Sequence, residues 1–367
     1  MSAWLHLCGH RRCCAAVAEG PGEGTGSGGR GRARPRHFTI DVHCHVLTLA
    51  VEQLVATHPR RLAEPAAMLA SMGEESVAHN QSAMLPKAFA GLTSIEQRLR
   101  DMDAMGVDMQ VISPSPNQYY YWAEPELASE IVRLQNQHIA DVCAKHPARL
   151  AGLGTVALQH PELAARQLLD AVNVLGLKGV EISTSVEGRE LDDAALAPFW
   201  AAAQSTGAVV FIHPFGTTLG ERTRSHYLSN TIGQPLETTL ALSRLIFSGT
   251  LDRYPGLRLL AAHGGGYLPM YSGRSDHAFK ARPEAAKTVR RPSEYLREIH
   301  FDSLVYEPGA LRQLIDNVGA SQVLLGTDYP YDMGHDEPQE LVRLLPGAQE
   351  AEQAAVLGQN ARRLFNL

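Results

Sequence analysis

His37-Phe38-Thr39-Ile40-Asp41-Val42-His43-Cys44-His45 is the stretch on which the reading of this chain turns. Its apolar, β-branched core reads as a short strand. The strand ends in two histidines spaced i, i+2. Side chains alternate faces along a strand, so His43 and His45 project to the same side. Two imidazoles side by side at a strand end form half of a metal site. Taken alone, the pair reads more simply as surface or capped histidines. What reverses that reading is where the other histidines and one aspartate fall.

Outward from this segment, short apolar runs recur, each followed by a longer helical pattern. After Phe38–Val42 come Met109–Ser113, Leu153–Ala157, Gly179–Ser183, Val209–His213, Leu257–Ala262, Ile299–Ser303 and Val323–Thr327. Amphipathic stretches lie between them, among them Ala128–Ala144, Ala164–Val174, Pro198–Ser205 and Gly309–Asp316. Buried parallel strands read as continuous apolar runs because helices cover them. Repeated βα units of this kind predict an α/β fold, a (β/α)8 TIM barrel rather than an open doubly wound sheet. The first strand is followed by no glycine-rich dinucleotide fingerprint, which counts against the open sheet. Ala50 to Leu92 is too long for a simple βα loop and is expected to be a small insertion capping the barrel mouth. Residues 217–243 form a second long excursion, after the fifth strand.

In such barrels the active site lies at the C-terminal ends of the strands. Polar residues that close apolar runs are therefore the candidates. His43 and His45 close the first strand, His213 the fifth, His263 the sixth and Asp328 the eighth. Each singly could be a structural histidine or a capping aspartate. Five residues of ligand type at one level of four strands point to a metal. Imidazoles plus a carboxylate suit one divalent ion, zinc first, with manganese or iron as alternatives. A catalytic site keeps a position open, so one histidine serves better as an acid/base than as a ligand. His263 takes that role, because it opens Gly264-Gly265-Gly266, where backbone can approach a substrate closely. Aromatic residues after the strands could sandwich a planar substrate, Trp122 and Phe215 foremost. Glu181, on the fourth strand, either faces the barrel interior or is a buried structural glutamate.

These residues resemble the amidohydrolase superfamily, in particular the branch that contains aminocarboxymuconate-semialdehyde decarboxylase. The motifs that carry the likeness are Ile40-Asp41-Val42-His43-Cys44-His45, Phe211-Ile212-His213-Pro214, His263-Gly264-Gly265-Gly266, Gly273-Arg274, Phe301-Asp302-Ser303, Leu325-Gly326-Thr327-Asp328-Tyr329-Pro330 and the C-terminal Gly358 to Phe365 segment. The resemblance runs from about residue 37 to the end. It implies a barrel with one divalent ion, usually zinc, held by His43, His45, His213 and Asp328. It implies that His263 activates metal-bound water or protonates the substrate carbon. It also implies a homodimer in which Arg274 reaches the partner's site. Two departures stand out. A second arginine that grips the substrate carboxylate is missing from Met84-Leu85-Pro86-Lys87-Ala88-Phe89; Lys87 is the substitute on offer, without the bidentate fork of an arginine. The superfamily's bridging lysine is also missing from the fourth strand, which argues for one metal rather than two.

Composition sets the outer bounds. The chain has 367 residues, 44% of them hydrophobic and 20% charged, with a formal net charge of −6. Length and hydrophobic content suffice for a large core. The acidic balance gives no reason to expect nucleic acid or an anionic membrane as partner. Apolar stretches fall short of the ~20 residues of a membrane span. Five cysteines (Cys8, Cys13, Cys14, Cys44 and Cys143) show no zinc-knuckle spacing, and the odd count suggests a reduced, cytoplasmic protein. Residues 1–36 differ from the rest: Glu19 to Gly29 is Gly, Glu, Ser, Thr and Pro only. They are expected to be disordered, or a non-native extension upstream of a folded unit spanning 37–367. His10-Arg11-Arg12 interrupts any secretory apolar run.

The function expected is metal-dependent, non-oxidative decarboxylation of a planar unsaturated or aromatic carboxylic acid, of hydroxybenzoate, hydroxypicolinate or muconate-semialdehyde type. Arg274 would hold an acidic group and His263 would move the proton. The alternative is a metal-dependent hydrolase or hydratase acting on an amide, lactone or double bond, since one scaffold supports both chemistries.

Overall fold

The computed structural model describes residues 37–367. Its parallel strands are β1 (Ile40–Val46), β2 (Met109–Pro114), β3 (Leu150–Gly152), β4 (Gly179–Ile182), β5 (Val209–Ile212), β6 (Arg258–Ala261), β7 (His300–Asp302) and β8 (Val323–Leu324). They pair in chain order, in a three-stranded and a five-stranded run. Backbone hydrogen bonds span both seams between the runs. Lys178 N–H donates to Gly152 O at 2.8 Å and Gly154 N–H to Gly179 O at 2.9 Å, joining β3 to β4. Val42 N–H donates to Leu325 O at 2.9 Å and Asp328 N–H to His43 O at 2.7 Å, joining β8 to β1. The fold is a (β/α)8 barrel, as the strand repeat predicts.

Alternation along the strands sorts the core into two layers. Val209 and Phe211 pack with Ile40, Val42, Val111, Leu260 and Leu324 inside the ring. Val210 and Ile212 pack outward with Ile112, Val180 and Leu259 against the covering helices. β1 breaks this alternation. Its pairing with β2 slips between Asp41 and Cys44, where one extra residue enters the strand. Such a bulge moves every later side chain to the opposite face. Ile40 and Val42 belong to the inner layer, yet Cys44 and Val46 belong to the outer one. His43 and His45 therefore face inward, on the same side as the apolar residues before them.

The first strand, expected at Phe38–Val42, runs from Ile40 to Val46 and so contains both histidines; two others also depart clearly from their predicted limits. The third was expected at Leu153–Ala157 and lies at Leu150–Gly152. The Asn136 side chain takes both backbone groups of Thr155, at 2.7 and 3.0 Å, so the ladder stops there. The eighth ends at Leu324, because Thr327 N–H turns away to Asp41 Oδ1 at 3.1 Å. The insertion after β1 is helical: α1 (Leu49–Val55), α2 (Pro59–His79) and α3 (Leu85–Thr93), with α4 (Ile95–Met105) leading into β2. It reaches loops that follow several strands. Arg60 pairs with Glu187 at 3.1 Å, and His79 Nε2 lies 3.2 Å from Asp332. At Gly73 (φ 80°) a Cβ would meet Arg224 O at 2.1 Å, so α2 lies directly against the excursion after β5. Residues His37–Leu367 form one compact unit. The expectation for residues 1–36 lies outside the described residues. No helix among the described residues is long and apolar enough to cross a membrane.

Candidate metal centre

The barrel mouth brings His43, His45, His213 and Asp328 together, each supplying one ligand-type atom, all within 4.8 Å of one another. All four are buried. The His43 and His45 rings lie 5.1 Å apart, and each is 4.9 Å from His213. Asp328 Oδ1 sits 3.5 Å from His43 Nε2 and 3.3 Å from His45 Nε2. Both Nε2 atoms are buried without a hydrogen-bond partner, and so are both ring nitrogens of His213. Buried polar atoms are normally satisfied, so orphans converging on one point indicate a missing common partner. Neutral imidazoles and a carboxylate at this separation suit a divalent cation. The donor set fits the ion that the sequence implies.

The far sides of the His43 and His45 rings are tied down. His43 Nδ1–H donates to the Asp302 carboxylate at 2.6 Å. His45 Nδ1–H donates to Pro114 O at 3.1 Å. Each bond fixes the tautomer that leaves a lone pair on Nε2 for an ion. Asp302 also accepts the backbone N–H groups of His263 at 2.9 Å and Gly264 at 2.8 Å. One carboxylate at the end of β7 thus holds a ligand and the start of the glycine turn. Close packing leaves no room for side chains here. A Cβ on Gly326 would lie 2.9 Å from His43 Cβ and 2.7 Å from Asp302 Cβ.

The electrostatics are those of a cation site. Burial pushes the His43 imidazolium down, but the Asp328 and Asp302 carboxylates outweigh it and bring the group up to about 9. Burial also works against ionised Asp328, yet His43, with His263 and His45, holds its carboxyl well below the usual range. His213 is driven well below its ordinary value by burial first and then by the neighbouring His45 and His43, which keeps it neutral as a ligand must be.

His263 stands beside the cluster and is partly buried. Its Nε2 lies 3.8 Å from Asp328 Oδ2, and its ring centre lies 5.3 Å from that of His43. Its Nδ1 has no partner. The residue adopts φ 55° and leads into three glycines that also have positive φ. At Gly266 a Cβ would strike Pro235 O at 2.0 Å, so only glycine allows the turn. Glu181 faces the interior. Tyr119 Oη donates to its Oε1 at 2.6 Å, and its Oε2 lies 3.6 Å from His45 Nδ1.

The residues expected to meet substrate are held differently. Phe215 is 46% exposed, its ring edge-on to Tyr119 at 6.4 Å. Lys87 on α3 and Arg274 on the helix Ser272–Ala281 are both exposed. Trp122 is engaged by the insertion: its indole N–H donates to Glu64 at 2.8 Å and it stacks on His58 at 4.4 Å. Sequence reasoning gave no role to Asp302 or to Arg98. The signal for Asp302 was present, an acidic residue closing an apolar strand beside the ligand-bearing ones. Arg98 looks like any cation of an amphipathic helix.

This barrel, with its histidine–aspartate cluster at the strand ends, matches a known family from residue 40 to residue 367. The chain belongs to the amidohydrolase family, whose profile matches residues 40–367. It is 36% identical over 272 residues to 2-amino-3-carboxymuconate-6-semialdehyde decarboxylase of Dictyostelium discoideum, covering 74% of this chain and 76% of the other. Its structure is similar to that of 5-carboxyvanillate decarboxylase from Sphingomonas paucimobilis (TM-score 0.78, 28% identity, 90% of this chain and 100% of the other). It is also similar to dihydroxybenzoic acid decarboxylase from a Polaromonas species, solved with manganese and the inhibitor 2-nitroresorcinol (TM-score 0.75, 25% identity, 90% and 98% covered).

Proposed function

We propose that this protein is a carbon–carbon lyase, a metal-dependent, non-oxidative decarboxylase of a planar unsaturated or aromatic carboxylic acid. The observation that carries the reading is the buried cluster of His43, His45, His213 and Asp328, with unpartnered ring nitrogens converging beside His263. These four residues would hold one divalent ion; zinc is our choice, and manganese is what the Polaromonas relative contains. The ion would supply the positive charge that orients the substrate carboxylate and an adjacent oxygen. When carbon dioxide leaves, the electron pair of the broken bond stays on carbon, and a proton must arrive there. We assign its delivery to His263, whose Nε2 lies 3.8 Å from Asp328 Oδ2 beside the cluster. The relatives compared are named decarboxylases, which favours this chemistry over hydrolysis or hydration on the same scaffold.

Around this centre we assign Phe215, Trp122 and Lys87 to substrate contact. Arg274, exposed on its helix, is free to reach a neighbouring subunit's site in a homodimer. Hydroxybenzoates, hydroxypicolinates and muconate semialdehydes are the substrates to try, in a role in aromatic-compound catabolism. Free Cys44 and Cys143 suit a reducing, cytoplasmic setting. The test is carbon dioxide release by metal-loaded protein from a panel of these acids. Hydrolysis of amides or lactones without such release would overturn the assignment.

A further inference from the structure

Arg98, on the inner side of α4, is fully buried. A buried guanidinium is costly unless its donors are satisfied, and a carboxylate usually helps. Here its hydrogen bonds go to neutral oxygens. Nη1–H donates to Gln110 Oε1 at 2.8 Å; Nη2–H donates to Gly91 O at 2.9 Å and to the His45 carbonyl. The guanidinium also lies over the Tyr329 ring, 4.8 Å from its centre. Gln110 passes the connection on, its Nε2–H donating to Asp41 Oδ2 at 3.0 Å. Asp41, itself fully buried, accepts Thr327 Oγ1–H at 2.7 Å and the backbone N–H groups of His43 and Thr327 at 3.1 Å each.

This relay touches the molecule where the metal ligands are set. Asp41 and the His45 carbonyl bracket His43 on β1. Thr327 and Tyr329 flank Asp328 after β8. Gly91 belongs to α3, so the same guanidinium grips the end of the insertion. A planar fork that reaches three oxygens in different directions is something an ammonium cannot reproduce.

We propose that Arg98 is a positioning residue that couples docking of the insertion to the geometry of the metal centre. The coupling is reciprocal by thermodynamic necessity: holding the ion steadies the insertion, and loosening the insertion weakens the ion. The proposal rests on the metal-centre reading above.

The experiment compares wild type, Arg98→Met and Arg98→Lys by cobalt(II) titration and by hydrogen–deuterium exchange with and without zinc. In wild type, zinc is expected to slow exchange in residues 49–93. In Arg98→Met that zinc-dependent protection should disappear while the 125–145 helix exchanges as before. The cobalt dissociation constant should rise about tenfold, as for loss of an outer-shell partner, and the visible bands should shift. Arg98→Lys should restore only part of each effect. Wild-type cobalt affinity, spectrum and zinc-dependent protection in folded Arg98→Met would overturn the coupling alone. Absence of stoichiometric metal in wild type would overturn the metal-centre reading and the coupling with it. Should Arg98→Met not fold, Gln110→Met removes both the acceptor of Arg98 Nη1–H and the donor to Asp41; unchanged cobalt affinity and spectrum there would overturn the proposal equally.

Discussion

The floor of the site and its rim are built in opposite ways. On the floor, His43, His45 and Asp302 are wholly buried, and His213 and Asp328 nearly so. His43, His45 and Asp302 have outer-side hydrogen bonds that fix their orientation. At the rim, Lys87, Arg274 and Phe215 are exposed and lightly held. Strands of a closed ring place side chains rigidly, whereas excursions after the strands carry adaptable contacts. Chemistry belongs to the floor and choice of substrate to the rim, so the two should respond differently to mutation.

The largest effect should follow removal of a floor ligand. Asp328→Ala should leave the protein without stoichiometric metal after dialysis and lower kcat/KM by at least about 100-fold. Metal analysis with a carbon dioxide assay checks both. Retention of one ion per chain would break the assignment of the cluster. His263→Ala comes next: metal retained, kcat reduced by about 10²–10⁴-fold, as for loss of an acid/base. An unchanged kcat would move proton transfer elsewhere. Asp302→Asn keeps shape but removes the carboxylate beneath His43. It should weaken metal affinity by about 10–100-fold with the ligands intact, read by competition with a chelator.

The rim should give smaller and differently shaped changes. Arg274→Ala should raise KM about tenfold with little change in kcat, the mark of lost ground-state binding. If Arg274 serves a neighbouring site, mixing this variant with a ligand-less one should leave some hybrid dimers with an intact site. Trp122→Phe should have the smallest effect. It loses the hydrogen bond to Glu64, about 1 kcal/mol, and should lower thermal stability slightly. A small selective rise in KM should accompany it, since the ring is assigned to substrate contact; an unchanged KM would remove Trp122 from that role.

Much of the floor was legible because strand ends are marked locally. An apolar run closed by His213, His263 or Asp328 shows both the strand and the level of the residue. Asp302 carried the same mark but no motif chemistry of its own, so its hold on His43 and the glycine turn emerged only in three dimensions. The rim was less legible, because loop residues have no period to place them. Trp122 illustrates this: its aromatic run suggested a pocket wall, and its indole is committed to Glu64 and His58. Arg98 was invisible for a different reason. Burial of a helix cation depends on what packs against it, which its neighbours in sequence do not state.

The opening segment divides the same way. That His43 and His45 share a face follows from their spacing alone, as does the barrel from the repeated strands and the ion from the residue types. Which face they share does not. Simple alternation opposes them to Ile40 and Val42, which line the barrel interior. The extra residue between Asp41 and Cys44, set by pairing with β2, turns both imidazoles inward. Register is a property of two strands together, and so the metal centre exists only once the barrel has closed.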